Sequence, residues 1–586
     1  MKYIILSIVL LLAYNVNSQN KVLFEYMSQK DKSISTEDLR FLNYHYKQSN
    51  VKQVDFIKIN FETIKNEIIT IRLKDKSYKV NKIDLDKRSK NSFTWFGVFT
   101  DYLANGIFLT VNGNSVASKF SIEGRVFSLY PLKTGNHILV EYSDTSFICG
   151  NEFDKVQKPN NKKLNFKHKN DDSCTLRVLM AYTTQAEIDI HNLGLTLNTF
   201  SQMAIDETNL AYDMSQINID IELAISMRVN YAEVCCNDLM GTDLNRLKNG
   251  TNGLGVIHDM RNYYETDIQI LIETDHPNLG GRAFHVLTDN NPANPANGFC
   301  IVDVPGVTSG RFSFAHEIGH LQGARHENHN DNPNFARGFL SNNTSTAWRT
   351  LMTRQSASGV CPNANACRIG VFSNPNINGP GNVPAGNGTR NNSRMINQTA
   401  PQILNYRIVS ENLILTNEEV KPEIESNHLA NHRIDSNNSI ITYFPESTGT
   451  IRAGEMITFK HGVTISNGSR FVAYIDNNPC EEIPIQKVTA QTNSMEASNL
   501  IDKQDNNLII YPNPVKDVLK LQLQNNIVFK TIEIYNSNFT NIYSNEISKK
   551  KLSVYEIDIS NFKSGIYLVK IITSEGKTYT KKILKK

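Results

Sequence analysis

Between residue 19 and about 150, apolar positions come in short alternating or β-branched runs. Phe56-Ile57-Lys58-Ile59, Ile69 to Leu73, Ile107 to Val111 and Ile138 to Tyr142 are the clearest, with polar and Gly/Asn breaks between them. The pattern predicts β-strands. Lys155 to Asp172 is rich in Lys and Asn with almost nothing to bury, which predicts an exposed linker open to proteolytic nicking. The texture then changes. Leu176 to Tyr182 reads as an apolar strand, about Thr184 to Asp213 as a long helix, and Ile217 to Ile225 as a strand. A second helix is expected over Thr242 to Tyr264, interrupted by glycines near 250, before a strand at Ile268 to Ile272. Strands alternating with helices predict a mixed α/β or α+β domain. Another helix opens near Ser313. Beyond about 408 short strands return, punctuated by Gly454, Gly462 and Gly468, and predict a small β-domain. A polar linker, Thr492 to Asn507, leads into a last β-rich module ending in Lys585-Lys586.

At 586 residues the chain is too long for one core, so three or more domains are expected. Forty per cent apolar and twenty per cent charged residues are ordinary globular proportions. The 61 basic and 58 acidic side chains leave +3, too weak an excess to imply nucleic acid or an anionic membrane as partner. The first residues change the picture. Met1-Lys2 precedes an apolar run, Ile4 to Leu12, and Ala13 to Ser18 turns polar, which is the order of a secretory signal cleaved after Ser18. That run is short for a bilayer and no second one follows, so no transmembrane segment is expected. Eight cysteines permit disulfides in an exported chain, but no C-x-x-C pair supports a thiolate metal site. Cys361 and Cys367 are near enough to close a small loop; the connectivity is otherwise open.

Residues 316 to 326, HEIGHLQGARH, carry the chemistry. His316 and His320 lie one turn apart on a helix, so both imidazoles reach one ion. Glu317 lies beside them, able to touch a water on the metal without ligating it. Gly323 ends the helix in a left-handed conformation, and His326 swings back as third ligand. Three neutral nitrogens leave the fourth tetrahedral position open, the mark of a catalytic zinc site.

This segment resembles the extended zinc signature of the metzincin clan, specifically its reprolysin-like bacterial members. Trp348 to Thr353 is similar to the clan's methionine turn, with Met352 beneath the zinc. CTLRVLMAYT at 174 to 183 resembles the first strand of such a domain, and LGGRAF at 279 to 284 the segment around the substrate-pairing edge strand. Residues 368 to 386 and 395 to 407 are similar to the C-terminal part of peptidyl-Asp-type metallopeptidases. There are two departures: Glu327 stands where the relatives usually carry Asp, and Arg354 where other clan members have a metal-contacting Tyr. The resemblance implies one catalytic Zn2+, Glu317 as base, and an extended peptide substrate beside Gly281, Arg282 and Ala283. Arg282 would then favour an acidic side chain. The residues single out no calcium site, so a calcium ion stays open.

Cys149, in a Cys-Gly pair ahead of the catalytic domain, resembles the cysteine switch of related enzymes. LIIYPNPVKDVLKLQL at 508 to 523 and SGIYLVKI at 564 to 571 resemble the sorting domain of the type IX secretion system. The expected organisation is a signal peptide (1–18), β-rich pro-domain and linker (19–172), metzincin-like zinc peptidase (173–408), β-rich linker domain (409–500) and β-sandwich sorting domain (505–586). The expected partners are protein or peptide substrates and the type IX machinery. The alternative from another class is a cell-surface adhesive protein with an inactive peptidase-like domain.

Overall fold

The computed structural model describes residues 22–28, 34–74, 76–89, 91–123, 125–142, 175–234, 240–274, 276, 279–284, 294–309, 312–329, 333–341, 348–354 and 367–476. Toward the C-terminus it describes 508–511, 515–523, 528–535, 541–547, 554–563, 565–574 and 578–585. The signal segment 1–18, the linkers Lys155 to Asp172 and Thr492 to Asn507, Cys149 and Cys361 lie outside the described residues. Two compact units form, 1–485 and 486–586.

The first unit opens with a nine-stranded antiparallel sheet. Its spatial order is Phe24–Tyr26, Val51–Ile59, His137–Tyr142, Arg125–Pro131, Ser115–Ile122, Tyr102–Asn112, Ser92–Phe99, Lys76–Ser89 and Ile68–Leu73. Successive residues of a strand point to opposite faces. Val116, Phe120 and Ile122 therefore enter the sheet's own core with Ile107, Leu109, Val111 and Leu139. Phe108, Ala117, Ile138, Val140 and Tyr142 belong to a different core, shared with the region that follows. Both faces are thus buried along most of Ser115–Ile122, Arg125–Pro131 and His137–Tyr142, polar side chains such as Ser118 and Lys119 included. Helix Thr36–Lys47 interrupts the strands where none was expected. Ser35 and Asp38 close a capping box at its start, and Phe41, Leu42 and His45 are buried.

The central region is built on parallel strands in the order Phe299–Asp303, Ile268–Glu273, Thr175–Tyr182 and Asp220–Arg228, with Gly281–Ala283 antiparallel at one edge. The long helical pattern is two helices, Thr184–Asn192 and Leu197–Met214, because Gly194 adopts φ +84° and Thr183 and Thr196 each start a new helix as N-cap. The second expected helix is likewise two, Gly241–Asn249 and Gly255–Tyr263. Helix Ser313–Leu321, here the signature helix, is buried throughout. Among the described residues no helix is long and apolar enough to cross a membrane.

Residues 412 to 475 form a three-sided parallel solenoid. Leu413, Ile434 and Ile457 stack in one column, Glu419, Thr442 and Thr464 in a second, and His428, Ile451 and Ala473 in a third. The third side joins the central sheet where Ser426 pairs with Ile225, so one eight-stranded sheet runs from peptidase to solenoid across residue 408. The second unit, by itself, is two antiparallel sheets of three and four strands. They enclose a core that includes Leu519, Leu521, Ile532, Ile534, Val569 and Ile571. The chain is thus a mixed, strand-rich assembly with helices concentrated in its centre.

Candidate metal centre

The signature helix is terminated by hydrogen bonds from Gly323 N to His320 O (3.0 Å) and from Ala324 N to Gly319 O (2.9 Å). Gly323 at φ +89° permits this paired closure, which few side chains tolerate. The reversal carries His326 back across the helix. His316, His320 and His326 then form a buried group whose ligand atoms all lie within 4.8 Å of one another. The Nε2 atom of His326 lies 3.0 Å from Nε2 of both His316 and His320. The other ring nitrogens of two of them face backbone carbonyls. His316 Nδ1 donates to Leu351 O at 3.0 Å and His320 Nδ1 to Ala324 O at 2.9 Å. A proton fixed on Nδ1 leaves the Nε2 lone pair free. Lone pairs converging in a buried pocket repel unless a cation stands among them. Three nitrogens about 2.0–2.1 Å from a tetrahedral zinc would be roughly 3.3 Å apart, close to what is found. The residues fit a zinc ion. Burial, then the Arg368, Arg354 and Arg349 cations, hold the His316 imidazole down at about 3, so it is neutral, as a ligand must be.

Met352 is fully buried below the helix. A Cβ on Gly319 would come within 2.9 Å of its sulfur and 2.8 Å of Phe372 Cε1, so only glycine lets the turn approach this closely. The neighbouring Leu351 supplies the carbonyl that orients His316. Glu327 fastens this turn to the segment after the third His, its Oε2 accepting from Arg354 N at 2.9 Å. The Glu found where relatives usually carry Asp is thus buried and engaged, and Arg354 enters through its backbone.

Glu317 is buried against the sheet edge. Gly281, Arg282 and Ala283 pair antiparallel with Val302, Ile301 and Cys300. A methyl group at Gly281 would sit 2.7 Å from Glu317 Cγ and 2.8 Å from Ile301 O. The carboxylate therefore lies directly beside the edge strand, with the imidazole cluster one residue away on the helix. Arg282 is half-buried on that strand and Ala283 is buried. Cys300 is a free buried thiol, its pKa pushed well up by burial and then by the Glu317 charge. The Leu351 carbonyl and Gly319 escape sequence reasoning because one acts through backbone and the other by lacking a side chain.

The region from 200 to 327 matches the metallopeptidase family M12B reprolysin-like model, and residues 509–586 match the secretion system C-terminal sorting domain. The peptidyl-Asp metalloendopeptidase of Xanthomonas campestris pv. campestris is 30% identical over 315 residues, 52% of this chain and 70% of that protein. The enzyme of the same name from Stenotrophomonas maltophilia K279a is 28% identical over 317 residues, 52% of this chain and 71% of that protein. The crystal structure of metalloproteinase-II from Bacteroides fragilis aligns with 50% of this chain and 86% of its own, at 13% identity and a TM-score of 0.28, too slight a likeness to define a shared fold. The sorting domain marks the chain for type IX export to the cell surface or the medium. With the first relative covered over more than two thirds of its length, the chain belongs to the reprolysin-like M12B metallopeptidases and is an exported metalloendopeptidase.

Proposed function

We propose that the chain is a zinc-dependent endopeptidase made as a latent precursor. His316, His320 and His326 hold one zinc ion, and Glu317 is the general base. The observation that carries this reading is the convergence of three buried Nε2 atoms one helical residue from a carboxylate that abuts the edge strand. Zinc bound there supplies Lewis acidity, polarising the scissile carbonyl and making an adjacent water acidic enough to lose a proton near neutrality. The chain's own residues do the rest. Gly281 to Ala283 accept an extended substrate as an added strand, so main-chain hydrogen bonds set its register. Glu317 removes a proton from the attacking water and delivers it to the departing amine. Leu351 O holds His316 in the tautomer with Nε2 unprotonated.

The relatives' name points to cleavage next to aspartate, and Arg282 is the residue of the edge strand with the charge to favour it. Latency is assigned to residues 19–172, with the Cys149 thiolate as the candidate blocking ligand. The further organisation follows the order signal peptide (1–18), peptidase (173–408), β-rich linker (409–500) and sorting domain (505–586). The test is zinc content and cleavage of a peptide library by the secreted protein and by Glu317→Gln. One zinc per chain in both, with cleavage only by the parent, supports the reading. A zinc-loaded parent that stays inert on the whole library even after the chain is cut between Lys155 and Lys169 overturns it in favour of a binding protein.

A further inference from the structure

The face of the N-terminal sheet turned away from its own core is not a solvated surface. Phe56, Phe96, Phe108, Tyr130, Val140 and Tyr142 share one continuous core with the peptidase. Polar side chains of the same face contact two places. The first is helix Leu197–Met214. Thr94 and Thr110 donate to Asp206 Oδ2 at 2.6 and 2.7 Å, and Lys119 forms a buried ion pair with Glu207. The second is the segment leading into the signature helix. Lys119 Nζ donates to Val307 O at 2.6 Å, Ser128 Oγ to Thr308 O at 2.7 Å, and Tyr130 OH to Thr308 O at 3.0 Å.

These carbonyls end the short helix Val304–Thr308, where the last C=O groups have no partner in their own helix. Lys119 also brings a cation to the negative end of that helix and stands 5.0 Å over the ring of Phe312. Phe312 holds φ +56°, a left-handed conformation that costs a bulky residue energy and persists only when its surroundings fix it. The ring is also wedged at Gly370, where a Cβ would meet it at 2.9 Å. If this sheet departed, the apolar side chains of this face and those they cover would be returned to water, and Asp206, Glu207 and the Val307 and Thr308 carbonyls would exchange fixed partners for solvent. Returning that shared apolar surface to water is what opposes departure.

We infer that residues 22–142 are a lasting partner of the peptidase, not a cover that leaves when the connection is cut. The Lys119–Glu207 pair latches the domain to helix Leu197–Met214, while Lys119 Nζ at Val307 O and the Ser128 and Tyr130 hydroxyls at Thr308 O latch it to the segment that leads into the signature helix. After cleavage between 143 and 174 the two pieces remain one non-covalent complex. This goes beyond the precursor reading by stating what cutting does not release. Its test reads association alone, so it can fail while the peptidase assignment stands.

The experiment takes the secreted full chain, cuts it briefly with trypsin at the lysines between Lys155 and Lys169, and follows the N-terminal fragment by size exclusion at low micromolar concentration. The expected result is co-elution of both fragments from the wild type. Dissociation should be at least tenfold faster for cut Lys119→Met, and several-fold faster for cut Ser128→Ala/Tyr130→Phe. Should Lys119→Met not fold, the hydroxyl variant decides. Immediate separation of the cut wild type overturns the inference, as do variants that dissociate at the wild-type rate.

Discussion

On one side of the signature helix the functional groups come from eleven successive residues, His316 to His326. Behind the helix entry the contacts come from strands far away in the chain, Lys119 reaching Val307 across 188 residues. The two regions steady the same nine-residue helix by opposite means. The histidine cluster needs few neighbours, because one turn of helix and one glycine-closed reversal place its three nitrogens. The rear support needs the whole N-terminal sheet in register before any of its donors arrives. Chemistry is local in this protein, while the rigidity that serves it is not.

Mutations can pull these two apart. Glu317→Gln should lower turnover by about 10²–10⁴-fold, the usual worth of a positioned base, with zinc content and melting temperature unchanged. Loss of zinc or of folding instead would mean that Glu317 has a structural share. Gly281→Ala comes next. Its methyl must displace Glu317 Cγ, 2.7 Å away, and a misplacement near 1 Å costs roughly 10²-fold in kcat. Wild-type kcat in that variant would disconnect the edge strand from the base.

Glu327→Ala, which leaves no side-chain oxygen for Arg354 N, tests the link between the metal segment and the turn carrying Met352. A hydrogen bond involving a charged group is lost, so thermal unfolding should register about 1.5–3 kcal/mol of destabilisation. An unchanged melting temperature would show that Arg354 N finds another partner at no cost.

The smallest effect is expected from acid and falls on the N-terminal sheet. His45 and His137 are each pushed down to about 4 by burial, and His137 Nε2 accepts from Val116 N at 3.0 Å, which requires the neutral ring. The unfolded chain therefore takes up these protons first. Stability is whole above the ordinary imidazole value and falls as the pH drops from about 6.5 toward 4. At pH 5.5 the loss is about 1 kcal/mol per histidine. Melting of wild type against His45→Phe between pH 7.5 and 5.5 measures it; parallel curves would assign the acid sensitivity elsewhere.

Sequence reasoning anticipated that His316, His320 and His326 come together, because a helical repeat and one glycine encode that geometry locally. It reached most strands as well, since their apolar runs are unmistakable. Other features were carried by less visible signals. Helix Thr36–Lys47 has its capping box written at Ser35 and Asp38, but it sits among strand-like segments that drew the reading their way. Gly194 broke a helix whose apolar periodicity continues on both sides. The edge strand Gly281–Ala283 is only three residues long, and its partner Phe299–Asp303 went unassigned. The region after 408 showed its short strands but not their stacking. Columns such as Leu413, Ile434 and Ile457 are bound by spacing alone, with little sequence likeness between turns. Sidedness was the harder matter throughout. Apolar runs revealed that strands are buried, while the partner for each face depended on contacts made much later in the chain.

The solenoid makes length an adjustable property of this protein. Its columns pair Asn412 with Arg433 and Met456, partners 21 and 23 residues apart, and the last turn meets no further turn among the described residues. Adding one such turn after Ile475 would lengthen the stack by about 4.8 Å, the spacing of neighbouring strands, while Ser426 kept its place beside Ile225. The catalytic sheet would not register the change. The molecule therefore carries a ruler whose graduations are set by chain length and whose zero is welded to the enzyme.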